Sequence, residues 1–161
     1  MSLSEAREQI QDRLEGLGLD HESTLLVSDI TRVANGIRVS LTNAVLREHD
    51  LSWTGFAILW LLWLHGPLET RHAAHAAAIS KATLTGVVNT LEQREYLQRI
   101  PRSDDRRLVE LHLTPTGSKF MEAVYPTYNQ AEKDVLGVLT ARQRASLRAG
   151  LEKLAESLER T

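Results

Sequence analysis

From about residue 20 to residue 47 the apolar residues Leu26, Ile30, Val33, Ile37, Leu41 and Ala44 recur at steps of three and four. That spacing predicts a long helix with one apolar stripe, and a stripe of this length on an otherwise polar helix needs a partner surface. Ahead of it, SLSEAREQIQDRLEGLG reads as a short helix, with Ser2 and Glu5 at capping-box spacing and Gly16 and Gly18 ending it. Ser52 can cap a helix from Trp53 to about His65, which Gly66-Pro67 stops. This segment is apolar nearly all round and predicts burial between other elements. Thr70 to about Ala77 predicts a short alanine-rich helix, and Ser80 caps another from Lys81 to about Arg94.

The period then changes from 3.6 to 2. Leu97–Ile100 predicts a short strand, Pro101–Arg107 a charged turn, and Leu108–Leu113 a second strand. In the second strand Val109, Leu111 and Leu113 share one face, and Leu108, Glu110 and His112 the other. Thr114-Pro115 restarts helix with a cap and a proline at the first helical position. Pro126 predicts a kink or break near Tyr125. Thr140 and Gln143 form a second capping box, and 141–160 an amphipathic final helix. The fold class is therefore mainly α with a small β-hairpin. Three helices followed by a hairpin make a winged helix-turn-helix, with long helices at both ends.

Composition narrows the function. A chain of 161 residues is one domain, or one domain with extensions. With 42% hydrophobic and 25% charged residues it is no disordered charged tail. The absence of cysteine removes a disulfide framework, a thiolate metal site and a peroxide-sensing thiol. The apolar run at Phe56–Leu64 is too short to span a membrane, and the polar first residues fit neither a signal nor a transit peptide. A cytoplasmic protein without a membrane partner is expected. The net charge of -2 hides a gradient: residues 1–60 hold 5 Lys/Arg against 9 Asp/Glu, and residues 71–107 hold 7 against 4. The positive stretch is where a DNA-contacting element has to sit.

On the helix starting at Lys81, Leu84, Val87, Val88 and Leu91 cluster on one side. The opposite side carries Ala82, Thr85, Gly86, Asn89 and Gln93, with Thr90 flanking, and no carboxylate. Small side chains let a helix sit deep in a major groove about 12 Å wide, where Asn or Gln can pair with adenine edges. Ser80, Lys81 and the helix N-terminus can meet phosphate. A solvated amphipathic helix has the same pattern. The hairpin tip adds Arg102, Arg106 and Arg107 within six residues. Such arginines reach a narrow minor groove, although charged turns are commonly just solvated. A carboxylate two residues before an arginine, here Asp105, can orient its guanidinium.

Asp105-x-Arg107 followed at a fixed interval by Leu113-Thr114-x-x-Gly117 resembles the signature of the multiple-antibiotic-resistance regulator (MarR) family. ISKATLTGVVNTLEQREYLQR resembles that family's recognition helix and first wing strand. The resemblance extends from about Asp20 to Thr161. It implies a homodimeric transcription regulator, usually a repressor, on pseudo-palindromic DNA. Residues 1–50 would hold an N-terminal extension and dimerisation helix, 51–114 the DNA-binding domain, and 115–161 C-terminal dimerisation helices. The family pattern puts Arg107 in the minor groove with Asp105 orienting it, and Ser80, Thr83, Thr85 and Asn89 at the major groove and its phosphates. Two positions depart from it. Glu95 stands where relatives commonly have a glycine, which predicts a frayed or reshaped helix end. Gly86 stands where relatives often have a larger polar residue, which predicts that base contacts there are missing.

The family commonly responds to small aromatic acids or phenols bound between the dimer helices and the winged domain. Trp53, Phe56, Trp60 and Trp63 lie along one side of their helix, as a planar ligand requires and as ordinary core requires equally. Arg38 could meet a ligand carboxylate, or snorkel from its helix. His72, His75 and His65 fall short of the four ligands of a closed metal site, so neither a metal nor a cofactor is expected. No glycine-rich phosphate loop, nucleophile elbow or metalloprotease spacing points to an enzyme. The alternatives are a metal-responsive regulator of the same fold, built on histidine and carboxylate ligands, and a winged-helix module for protein contacts alone.

Overall fold

The computed structural model describes residues 3–14, 17, 19–102, 105 and 108–160. They divide into two units, Met1–Ser40 and Leu41–Thr161. In the first, α1 (Leu3–Leu14) precedes α2 (His21–Ala44). Ser2, Gly16 and Gly18, assigned to the ends of the first helix, lie outside the described residues. Asp20 caps α2, its Oδ1 accepting from the Ser23 backbone N–H at 3.1 Å. Arg7 Nε donates to Asp29 Oδ2 at 2.8 Å and links the two helices. The first half of the stripe on α2 is uncovered in the single chain, with Leu26, Ile30 and Val33 all exposed, whereas Leu41 at its other end is buried.

α2 ends at Ala44, three residues before the expected Arg47. The chain tightens into a 3₁₀ turn, Leu46–His49, closed by Asp50 in the left-handed region at φ 48°. Val45 leaves helical geometry at φ -132°, and the turn brings both Val45 and Leu46 into the core.

In the second unit local signals set the helices. Ser52 caps α3 (Trp53–His65), accepting from Gly55 N–H at 3.0 Å, and Gly66 at φ 77° ends it. α3 is not buried all round as expected. Phe56, Ile58, Leu59 and Leu62 form its core face, whereas Leu64 is exposed. α4 (Thr70–Ala76) and α5 (Lys81–Gln93) follow, each one residue shorter than the pattern suggested.

The sheet is larger than the sequence indicated, although its last strand starts one residue later than expected. β2 (Leu97–Pro101) and β3 (Val109–Leu113) pair antiparallel with Leu97 opposite Leu113. A two-residue strand, β1 (Leu68–Glu69), pairs with the other edge of β3, Leu68 opposite Leu111. The sheet order β1-β3-β2 makes β3 the central strand, and its Leu111 is fully buried. α3 packs on α5, on β3 and on α6 (Pro115–Leu136).

Of the kink or break expected at Pro126, the break does not occur: α6 runs on through it. Proline's fixed φ suits a helix, and its missing N–H deprives only the Glu122 carbonyl, at an exposed stretch of the helix. α7 (Ala141–Leu158) starts at the predicted capping box, with Thr140 N–H donating to Gln143 Oε1 at 2.9 Å and Gln143 N–H to Thr140 Oγ1 at 3.3 Å. No residue of α7 is buried, and Leu147, Leu151, Leu154 and Leu158 form an exposed apolar row.

The join between α5, the wing and α6 is tight. Glu95 adopts φ 58°, the left-handed conformation that glycine favours, and the Tyr96 N–H bonds to Leu91 O at 3.0 Å. The end of α5 is thus well formed rather than frayed, at the cost of strain in a residue with a Cβ. Thr114 N–H donates to Tyr96 O at 3.0 Å, and the Thr114 hydroxyl donates to Glu95 O. A Cβ on Gly117 would lie 2.0 Å from Tyr96 O, a backbone atom that cannot step aside.

Two substitutions should therefore move stability in opposite directions. Glu95→Gly should raise it by about 1 kcal/mol by removing left-handed strain. Gly117→Ala should lower it by about 3 kcal/mol. Urea unfolding midpoints check both; a neutral Gly117→Ala would mean that α6 sits further from Tyr96 than described.

Candidate functional site

α5 presents the face that its sequence implied. Leu84, Val88 and Leu91 are buried and Val87 half-buried, while Lys81, Ala82, Thr83, Thr85, Gly86, Asn89, Thr90 and Gln93 are exposed. Ser80 acts as the helix cap: its Oγ accepts from Thr83 N–H at 3.1 Å and lies 2.8 Å from Thr83 Oγ1. Thr85 and Thr90 donate their hydroxyls back to the carbonyls of Lys81 and Gly86 at 2.9 and 3.2 Å. Their oxygens therefore face solvent chiefly as acceptors. An added Cβ on Gly86 would meet nothing within 4 Å. Packing inside this chain gives no reason for a glycine there, although mid-helix glycine costs about 1 kcal/mol relative to alanine.

A residue that the sequence reading missed, Arg99 on β2, organises this face. Its Nη1 pairs with Glu92 Oε2, and its backbone N–H donates to Glu92 Oε1 at 3.1 Å. Its Nη2 donates to Asn89 Oδ1 at 2.7 Å. Glu92, the only carboxylate on α5, is thereby held by a guanidinium beside the exposed face. Arginine has only donors, so the amide oxygen of Asn89 must be the atom turned toward it. The Asn89 NH₂ is left as a donor, a different chemistry from the donor-acceptor pair that adenine would need.

The wing root has a second such arrangement. Glu69, at the end of β1, is 8% exposed. Its Oε1 accepts from Arg102 Nη1 at 2.6 Å and its Oε2 from Arg71 Nε at 2.7 Å. Burial pushes the Glu69 carboxyl up, but the Arg102 hydrogen bond and the Arg71 charge and hydrogen bond outweigh it, holding it below the 4.5 of a free glutamate. Arg102, a DNA candidate by sequence, thus anchors the base of the wing. The Asp105 carbonyl accepts from Leu108 N–H at 2.9 Å, helping to close the turn. Arg106 and Arg107 lie outside the described residues.

The aromatic stripe divides. Trp53, Phe56, Trp60 and Ala57 of α3, with Tyr128 and Glu132 of α6, line a cavity of about 260 Å³. Phe56 stacks on Tyr128 at 4.1 Å between ring centroids. Trp63 lies outside that lining and packs instead on Tyr125 at 5.3 Å. Tyr128 and Glu132 were not legible as wall residues, because nothing in their own helix marks them. Burial first, then the charge of Glu132, pushes the Tyr128 hydroxyl well above the usual phenol range. Arg38 belongs to the first unit, where its Nη2 donates to Asn35 Oδ1 at 3.1 Å. Among the described residues no three histidines or carboxylates gather to hold a metal ion, and no helix is long and apolar enough to cross a membrane.

Three helices, a three-stranded wing and an acid-free exposed helix face define a winged helix-turn-helix DNA-binding protein. The MarR family model matches residues 51–109. The chain is 34% identical to the HTH-type transcriptional regulator YwaE of Bacillus subtilis over 143 residues, 89% of this chain and 84% of that one. It is also 34% identical to the HTH-type transcriptional repressor NicR of Pseudomonas putida over 112 residues, 70% of this chain and 71% of that one. Among solved structures it is similar to BpsR of Bordetella bronchiseptica, whose DNA binding is regulated by 6-hydroxynicotinic acid. That likeness has a TM-score of 0.72 and 27% identity, and covers 81% of this chain and 98% of the other. The chain belongs to the MarR family and is a DNA-binding transcription regulator.

Because the folded state lowers the Glu69 pKa, its two ion pairs contribute stability that is complete at neutral pH and lost as pH falls through the lowered value, below 4.5. Glu69→Gln should therefore be less stable at pH 7 and lose less than wild type below pH 4.5. Thermal midpoints across pH 3 to 7 check this, and parallel acid limbs would contradict it.

Proposed function

We propose that this regulator is a homodimeric, ligand-responsive repressor of a pseudo-palindromic operator. α5 lies in the major groove and the tip of the wing, with Asp105, Arg106 and Arg107, in the minor groove. The observation that carries this reading is the face of α5 itself. It is exposed and built of small and hydrogen-bonding side chains, its one carboxylate is held by Arg99, and Gly86 opens onto empty space. A close-approaching partner surface accounts for that glycine where internal packing does not. Ser80, Lys81 and Thr83 serve the phosphates at the helix start, and Thr85, Gly86, Asn89 and Thr90 the groove.

Dimerisation is supported by the uncovered apolar rows on α2 and on α7. Residues 1–50 and 115–161 then serve the dimer, and 51–114 read DNA. Two half-sites would be about one helical turn apart, ~34–36 Å. The cavity between α3 and α6 takes the ligand, as the acid-regulated BpsR suggests by analogy. A ligand lowers operator affinity only as far as it prefers the dimer spacing that does not bind DNA.

Fluorescence anisotropy on DNA from upstream of this protein's own gene, across a salt series and against unrelated competitor DNA, tests the reading. Specific binding that weakens steeply with salt is expected, and no preference for that DNA at any salt would refute it there. Arg107→Ala should weaken binding to all operator variants of the same groove shape. Gly86→Ala should separate the two properties of the helix, gaining about 0.5–1 kcal/mol of stability while losing operator affinity. Asn89→Ala should relax the preference at one or two base positions by about 1 kcal/mol, the worth of a single donor, with the salt slope unchanged. Arg99→Ala, by releasing the amide to rotate, should change which base is preferred there; an unchanged preference would separate Arg99 from readout.

A further inference from the structure

The crevice between α3 and α6 has a charge character that its aromatic walls alone do not convey. Trp53, Phe56, Trp60 and Tyr128 supply ring surface, and Glu132 is the only charged residue of the lining. Its Oε2 accepts from Asn129 Nδ2 at 3.1 Å, which fixes the carboxylate and leaves further lone pairs for a ligand. From these placements we propose that the crevice selects a small aromatic ammonium cation. The inference rests on the reading of this cavity as the ligand site and names the class of ligand it admits.

Size, charge and ring chemistry agree. A volume of about 260 Å³ falls just under the roughly 300–1,000 Å³ of drug-sized pockets, so it suits a single ring with a short arm. Aromatic faces attract cations through the ring quadrupole, more strongly where water is excluded. A carboxylate on the same wall adds a direct ion pair. An anionic ligand would meet the opposite: among the described residues of the lining no guanidinium or ammonium to receive it, and a like charge as it loses water. The Tyr128 hydroxyl is a neutral donor and adds no charge to the lining. Such a cation preference would distinguish the chain from BpsR, which responds to an acid.

The test titrates the free protein, without DNA, and follows quenching of tryptophan fluorescence. Three probes differ in the charge of one arm: 2-phenylethylammonium, 2-phenylethanol and 3-phenylpropionate. Wild type should bind the ammonium about ten-fold tighter than the alcohol, with the propionate weakest. Glu132→Gln should bring ammonium and alcohol within about three-fold of each other, and Glu132→Lys should favour the propionate. Near-wild-type circular dichroism of the variants establishes that they are folded. Propionate binding as tightly as ammonium in wild type would overturn the inference. So would a cation preference that survives Glu132→Gln, or saturation by none of the three. Operator release is measured separately by anisotropy. An ammonium that binds selectively but leaves DNA bound would sink the ligand-responsive reading and leave this inference standing.

Discussion

The reading head depends on one steric condition, the contact of the first turn of α6 with the backbone of Tyr96. Only hydrogen occupies the space between Gly117 and the Tyr96 carbonyl. That closeness lets Thr114 bond at once to Tyr96 O, to Glu95 O and to Gly117 N–H, the last at 3.0 Å. The end of α5, the start of β2 and the start of α6 thus share a single knot of hydrogen bonds. The register of the wing, Leu97 opposite Leu113, begins at the same place. Around it Tyr96 stacks on Phe120 at 4.5 Å, and Phe120 meets His49 edge-on at 5.5 Å. α5 and the wing are therefore fixed relative to one another by backbone geometry, and long side chains only refine it.

Electrostatics complete what sterics begin. A protein of net charge -2 must keep its acids away from the surface offered to a polyanion. Here two acids of the winged domain are held by guanidinium groups, Glu92 by Arg99 and Glu69 by Arg71 and Arg102. Each capture also ties two elements together, α5 to β2 in one case and β1 to the root of the wing in the other. The same contacts thus shape the field and stiffen the frame.

Most helix boundaries were legible because their causes are local. Ser52, Ser80, Thr114 and Thr140 each accept a bond from the residue three positions on, a relation visible within four letters. The strand Leu68–Glu69 was not, since two residues have no period and pair only because β3 is brought beside them. Pro126 does not end its helix because proline's exclusion from helices weakens where the deprived carbonyl lies at an exposed site. The end of α2 misled because two adjacent residues, Val45 and Leu46, both needed burial. At the site, the outward face of α5 was readable from its period. The partners of Asn89 and Glu69, ten and thirty-three residues away, were not. Trp53, Phe56 and Trp60 were found by spacing, but their opposing wall came from a helix seventy residues on, where Tyr128 and Glu132 have no local mark.

The two wall residues on α6 carry unequal burdens. Tyr128 is buried and stacked on Phe56, so its ring is part of the core as well as of the cavity. Glu132 is only half-buried and bonds to its near neighbour Asn129. Replacement of Tyr128 endangers folding, whereas position 132 can vary at little structural cost. On the proposed reading of the crevice, divergence among descendants of this gene can proceed one turn from the core, retuning the chemical signal each copy answers while the inherited DNA-reading apparatus stays intact.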